Sequence, residues 1–234
     1  MGYHAQALQR STEALARAQS HWRKRGDLSA KQTGWSIALT RAAGVPGTSI
    51  AHAVGDRLGW PVYDHELVEK IAGEMGLRVS LLDSVDEHRR SWLQECAEQF
   101  MAVPTVSDTT YVRHLIETIL SLGAHGDCIL VERGAAQILP RQSTLRVRLV
   151  AKREDRIRGI GERFHLHGPE AIRKLEEIDR DRAAFIRDFF RKDVADPTSY
   201  DLLLNASTWS VSECADLIVD ALHRLQQRTA AQSA

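Results

Sequence analysis

The stretch Arg41-Ala42-Ala43-Gly44-Val45-Pro46-Gly47-Thr48-Ser49 joins a short apolar, β-prone segment to a helical one. A chain that leaves a strand and enters a helix can gather its own amides around an anion. The helix N-terminus adds partial positive charge at the same spot, so phosphate is the ligand such a turn takes. Measured against GxxxxGK[ST], Arg41 stands at the first glycine, Pro46 at the second and Gly47 at the lysine. Pro46 also removes one amide donor. Thr48 or Ser49 can hold Mg2+ through a hydroxyl, as such turns do, and each is equally a helix cap. An ordinary strand-to-helix turn is the competing reading of these nine residues.

Arginines recur where a phosphate would need them. Their planar fork binds two phosphate oxygens at once. Arg153, Arg156 and Arg158 fall on one charged helical segment, and Arg180, Arg182 and Arg187 on the next. A solvated face laced with i,i+4 pairs, such as Glu176 with Arg180, is the plainer account of those segments. Arg133 follows a buried strand, at the carboxyl end where parallel sheets bind ligands. Tyr63 and Asp64 end another short strand and can read a second ligand. Asp64 is as well suited to cap the helix that follows, and both roles are compatible. His165-Leu166-His167 has no Cys or carboxylate at ligand spacing, and reads as an exposed loop before Gly168-Pro169.

These residues need a scaffold, and the periodicities supply one. Strands are expected at 35–39, 61–63, 127–131, 145–150 and 200–205. Segment 127–131 is a nearly unbroken apolar run, as for a strand covered on both faces. Helical patterns are expected from 49 to 58, from 65 to 75, and over 80–101, 108–122, 152–164, 169–191 and 211–227, the last capped by Ser210 or Ser212. Alternating strands and helices imply an α/β fold with a parallel sheet wrapped on both sides. Residues 1–33 form an N-terminal appendage whose helix, over 3–25, carries Leu8, Leu15 and Trp22 every seven positions. That stripe packs on its own domain or on a second copy. The main domain runs over 34–228, and 229–234 is expected to fray.

The chain has 234 residues with 31 basic and 31 acidic side chains. That balance gives no reason to expect a nucleic-acid or membrane-surface partner. Cys96, Cys128 and Cys214 are scattered, which argues against a disulfide framework. With no leader pattern and no apolar span of membrane length, a reducing cytoplasm is the expectation.

Several short motifs, taken in order, resemble the cytidylate kinase-like family, a set of P-loop proteins. Arg41, Gly44 and Gly47 keep the frame of its opening loop. Leu58-Gly59-Trp60-Pro61-Val62-Tyr63-Asp64 keeps its Leu-Gly-x-Pro-x-Tyr-Asp step. Val131-Glu132-Arg133-Gly134-Ala135 is similar to its Gly-Arg-Gly-Ala turn. The arginine-rich segment 145–158, the Asp179-Arg180-Asp181-Arg182 to Arg187 helix and the Asp196-Pro197 to Asn205 strand follow in register. The resemblance covers about 36–225. It implies a P-loop sheet with helical monophosphate-binding and lid insertions, the lid at about 153–192, and ATP with Mg2+ phosphorylating CMP, dCMP or a related monophosphate. On that scheme Arg41, Gly44, Gly47, Thr48 and Ser49 cradle the donor phosphates. Tyr63, Asp64 and Arg133 hold the acceptor. Arg156, Arg182 and Arg187 close over the transferring group, with Asp181 orienting them. The family lacks the usual lysine, and Val45-Pro46 departs from it further. The alternative is a nucleotide sensor or assembly module without turnover, docked or paired through the N-terminal helix.

Overall fold

The strands are short, and a helix follows each of them in the chain. The computed structural model describes residues 16, 18–22, 34–83, 85, 110–131 and 134–233. In chain order its elements are β1 (Ser36–Arg41), α1 (Gly47–Leu58), β2 (Val62–Tyr63), α2 (His65–Gly73), α3 (Met75–Asp83), α4 (Thr110–His125), β3 (Cys128–Val131) and α5 (Ala135–Ile138). They continue with β4 (Thr144–Val150), α6 (Arg153–Phe164), α7 (Gly168–Phe190), β5 (Leu202–Asn205) and α8 (Val211–Ser233). The strands form one parallel sheet in the order β2-β3-β1-β4-β5, an α/β architecture. Val62 pairs with Ile129 in β3, and Val147 with Leu202 in β5. β3 is buried at all four residues, which explains its unbroken apolar sequence. Among the described residues no helix is long and apolar enough to cross a membrane.

The described chain divides into two compact units, Met1–Ser36 with Trp60–Leu130 and Ile37–Gly59 with Val131–Ala234. In the first, α2 starts at Asp64, whose side chain accepts the Leu67 N–H at 3.0 Å. Leu67, Val68 and Ile71 are buried, as are Leu115, Ile116 and Ile119 of α4. The expected single helix through 75 is two helices, because Glu74 is extended at φ −94° and ψ 111°. The rest of the expected helix over 80–101 lies mostly outside the described residues. Residues 16 and 18–22 are helical. Ala18 and Trp22 are buried in their own unit, and the Trp22 indole N–H donates to the Tyr63 hydroxyl at 2.9 Å. Leu8 and Leu15 lie outside the described residues.

In the second unit α1 buries Ile50, Ala51 and Val54, and α8 buries Cys214, Ala215, Ile218 and Leu222. Arg57 of α1 links the two helices, bonding Asp216 at 2.7 Å and the Ser212 hydroxyl at 2.8 Å. α8 opens on a capping box. The Ser210 hydroxyl accepts the Glu213 N–H, and the Glu213 carboxylate accepts from the Ser210 N–H and hydroxyl. Those bonds hold the Glu213 carboxyl below its usual range. The helix runs on to Ser233 rather than ending near 227. No glycine or proline interrupts this stretch, and Ala and Gln favour helix.

Trp22→Phe removes the indole donor to a hydroxyl that is itself fully buried. It is expected to lower unfolding stability by about 1–3 kcal/mol, read as a reduced urea midpoint at unchanged slope.

Candidate functional site

The turn after β1 uses most of its own amides to hold its shape. Ala42 N–H donates to the Leu149 carbonyl, Val45 N–H to Ala42, Gly47 N–H to Val45 and Ile50 N–H to Pro46. Pro46 has none to give. Of the rest, the Ala43 N–H already meets an anion. It donates to Oδ1 of Asp179, on α7, at 3.0 Å. The amides of Thr48 and Ser49 stand in the first turn of α1, where no intrahelical acceptor exists. No side chain caps that helix and no acid lies in its first turn, so its positive end is uncompensated by its own sequence.

Two arginines from different helices bind the same turn. Arg156 of α6 donates from Nε to the Ala43 carbonyl at 2.9 Å, and its Nη2 meets Oδ2 of Asp179. Arg182 of α7 donates from Nη1 to the Arg41 carbonyl at 3.0 Å. Arg41 itself is buried beneath the turn, with Nη1 on the Val45 carbonyl at 3.3 Å. Gly47 leaves room for it, since a Cβ there would lie 2.4 Å from Arg41 Cδ.

Apolar packing closes the arrangement. Ala43 joins Ile160, Ala171 and Leu175 in one buried cluster spanning the turn, α6 and α7. Backbone meets backbone beside it. Gly44 has φ +81°, and a Cβ on it would fall 2.1 Å from the Arg156 carbonyl oxygen. A Cβ on Gly159 would fall 2.2 Å from the Gly44 carbonyl oxygen. Glycine is needed on both sides of this approach.

The remaining expected residues distribute as follows. Thr48 is half-buried and Ser49 exposed. Their hydroxyls lie on the first turn of α1 with no carboxylate there, and no group of three His, Cys, Asp or Glu gathers among the described residues. This donor set fits Mg2+ only as an ion that arrives on nucleotide phosphates and takes one hydroxyl. Asp181 is exposed, and it is Asp179 that contacts Arg156 and the Ala43 amide. Two residues turn a helix by about 200°, so the two carboxylates face opposite ways. Arg187 is exposed and pairs with Asp188 at 3.1 Å. Arg153 pairs across to Glu176 at 2.6 Å and Arg158 with Asp155 at 3.1 Å. Asp64 caps α2. Tyr63, expected at an acceptor, is 0% exposed. Burial, then the nearby Cys128 thiol, pushes its hydroxyl well above the usual pKa, so it stays protonated as Trp22's partner. Arg133 lies outside the described residues. Histidines 165 and 167 are exposed at the α6–α7 connection.

Two contributors were missed in the sequence, Asp179 and Gly159. Each left a signal. Asp179 stands three residues before Arg182, hence on its face of the helix. Gly159 is a glycine within a charged helix, which marks close approach of another backbone.

Compared with known proteins, the model of the cytidylate kinase-like family matches residues 36–208. No curated protein sequence matches the chain significantly. Among solved structures, the crystal structure of an uncharacterised protein from Eubacterium ventriosum superposes with a TM-score of 0.65 at 16% identity. The match covers 81% of this chain and 98% of that one; at this identity it is a likeness of fold.

Gly159→Ala puts a methyl where the Gly44 carbonyl sits. It is expected to lower stability by about 1–3 kcal/mol. Gly73→Ala has open space around the new methyl and should be neutral or stabilising by up to about 1 kcal/mol. Denaturant melts of the two variants side by side check the difference.

Proposed function

Because the chain belongs to the cytidylate kinase-like family, we propose that it is an ATP-dependent phosphotransferase acting on a nucleoside monophosphate, CMP or dCMP by family resemblance. One observation carries this reading: Arg156 and Arg182, from two helices, reach the backbone of a single turn at the head of α1. Phosphoryl transfer asks for positioning and positive charge around the equatorial oxygens more than for covalent help. A turn with an uncapped helix behind it and two guanidinium groups beside it supplies both. Mg2+, bound with the nucleotide, would neutralise charge between donor phosphates, with Thr48 or Ser49 as its protein ligand. Ala43 and its apolar cluster keep bulk water away from one side of the turn, which favours transfer over hydrolysis.

A specific observation favours a second reading, a sensor that binds nucleotide without turnover. The Walker lysine is replaced by Gly47, Pro46 gives no amide, and the Ala43 amide is already bonded to a carboxylate. Fewer donors remain for a γ-phosphoryl group than a fast kinase offers.

The two readings separate in one assay, ADP formation from ATP and Mg2+ with CMP, dCMP, UMP, AMP or GMP added singly. The kinase reading expects a cytidine monophosphate to raise ADP output above that of ATP alone. Arg182→Ala is expected to lower kcat about 100-fold or more, measured at a temperature where circular dichroism shows the variant folded. Tight ATP binding with no monophosphate-dependent ADP would replace the kinase reading with the sensor.

A further inference from the structure

We propose that the Asp179 carboxylate is a built-in competitor for the phosphoryl ligand, seated on the donors that an incoming phosphate oxygen would take. The inference rests on the reading of the turn after β1 as a phosphate site, and it adds how that site is regulated.

Three contacts carry it. One carboxylate oxygen accepts the Ala43 N–H at 3.0 Å. The other meets Nη2 of Arg156. Nε of the same guanidinium holds the Ala43 carbonyl at 2.9 Å, so amide, guanidinium and carboxylate form a closed ring. An oxyanion between a loop amide and an arginine fork is the arrangement a phosphate oxygen would adopt there. Here the anion is a side chain of α7. Its pairing with Arg156 is only partly withdrawn from water, the two side chains being 39% and 17% exposed, so a ligand in solution can reach the pair. The backbone contact between Gly44 and Gly159 keeps Arg156 beside Ala43 whether or not Asp179 stays. Exchange therefore needs a side-chain rotation of Asp179 and no rebuilding of the turn. A phosphoryl group carries more charge than the carboxylate it displaces, and phosphates of higher charge should displace it more fully.

Calorimetric titration of the full-length protein with inorganic tripolyphosphate and with ATP tests this. Asp179→Asn keeps shape and one acceptor while removing the charge. It should bind tripolyphosphate at least about tenfold more tightly than the parent, the loss of one charge-assisted competitor. Glu177→Gln makes the same charge change on the same helix, at a residue paired with Lys174, and should shift affinity less than about twofold because exposed charges are screened. Equal gains in both variants would overturn the proposal, reducing it to net charge. Parent binding with no gain, or with weaker binding, in Asp179→Asn would overturn it and leave the phosphate site standing. No binding of either ligand by the parent or by Asp179→Asn would remove the site and the competitor together. Should the variant unfold, NMR of the parent decides. Tripolyphosphate should shift both the Ala43 amide and the Asp179 carboxyl carbon, and saturation that moves the amide but leaves the carboxyl carbon unmoved would overturn exchange.

Discussion

A carboxylate between a main-chain amide and a guanidinium ties α7 to the turn after β1, and the packing around it permits that contact. Asp179 must lie on the face of α7 that meets the turn. α6 must approach closely enough for Arg156 to bond the Ala43 carbonyl from the other side. That approach is possible because Gly44 and Gly159 let two backbones touch. It is held by the apolar cluster of Ala43, Ile160, Ala171 and Leu175. Removing either charged partner would leave the other in a partly desolvated place, which is where loss of one ion costs more than the pair contributes. The polar ring and the apolar cluster therefore support each other.

Among the lid arginines considered for the site, helix phase decides which ones serve the turn. Arg156 and Arg182 point inward from α6 and α7, and Arg41 lies beneath. Arg153, Arg158 and Arg187 each bond an acid on exposed faces. Arg180 is exposed. A chain whose basic and acidic residues balance at 31 each offers surface arginines many acids to meet. The arginines that reach the turn are those with a backbone carbonyl in range.

Much of the scaffold was legible because it follows from burial. The apolar run 127–131 became the fully buried β3, and the sheet is parallel, as alternating strands and helices require. Asp64 was legible as a cap, and Ser210 as one of two serines that could cap α8, because their spacing satisfies the first turn of a helix. Trp22 was legible as one side of a stripe, although its partner, Tyr63, was read as a ligand contact. A Tyr at the end of a short strand looks the same in sequence whether its hydroxyl meets a nucleotide or an indole. The break at Glu74 was hidden for a similar reason, since apolar residues continue on both sides of it. Asp181 was read as the carboxylate that orients the arginines, and the contact to Arg156 is made by Asp179 instead. Two acids flanking one arginine differ only in rotation about the helix, and which side faces the turn is set by packing that no local pattern records.

The eroded loop and the internal carboxylate are connected by charge. A lysine at position 47 would place a fixed cation in the turn, and an acid seated there would then form a tight ion pair that a ligand could displace only with difficulty. With Gly47 in its place, the positive charge comes from Arg156, from Arg182 and from the end of α1, worth about half a unit. One carboxylate offsets Arg156, which it pairs directly, and leaves Arg182 and the end of α1 as net positive charge for an incoming anion. A phosphate of two or more negative charges interacts more strongly with the same donors than a single carboxylate does. Occupancy of the turn should therefore be graded by ligand charge, with triphosphates competing where a singly charged anion does not. That ordering follows from electrostatics alone and does not depend on whether a nucleotide at this turn would react or only signal.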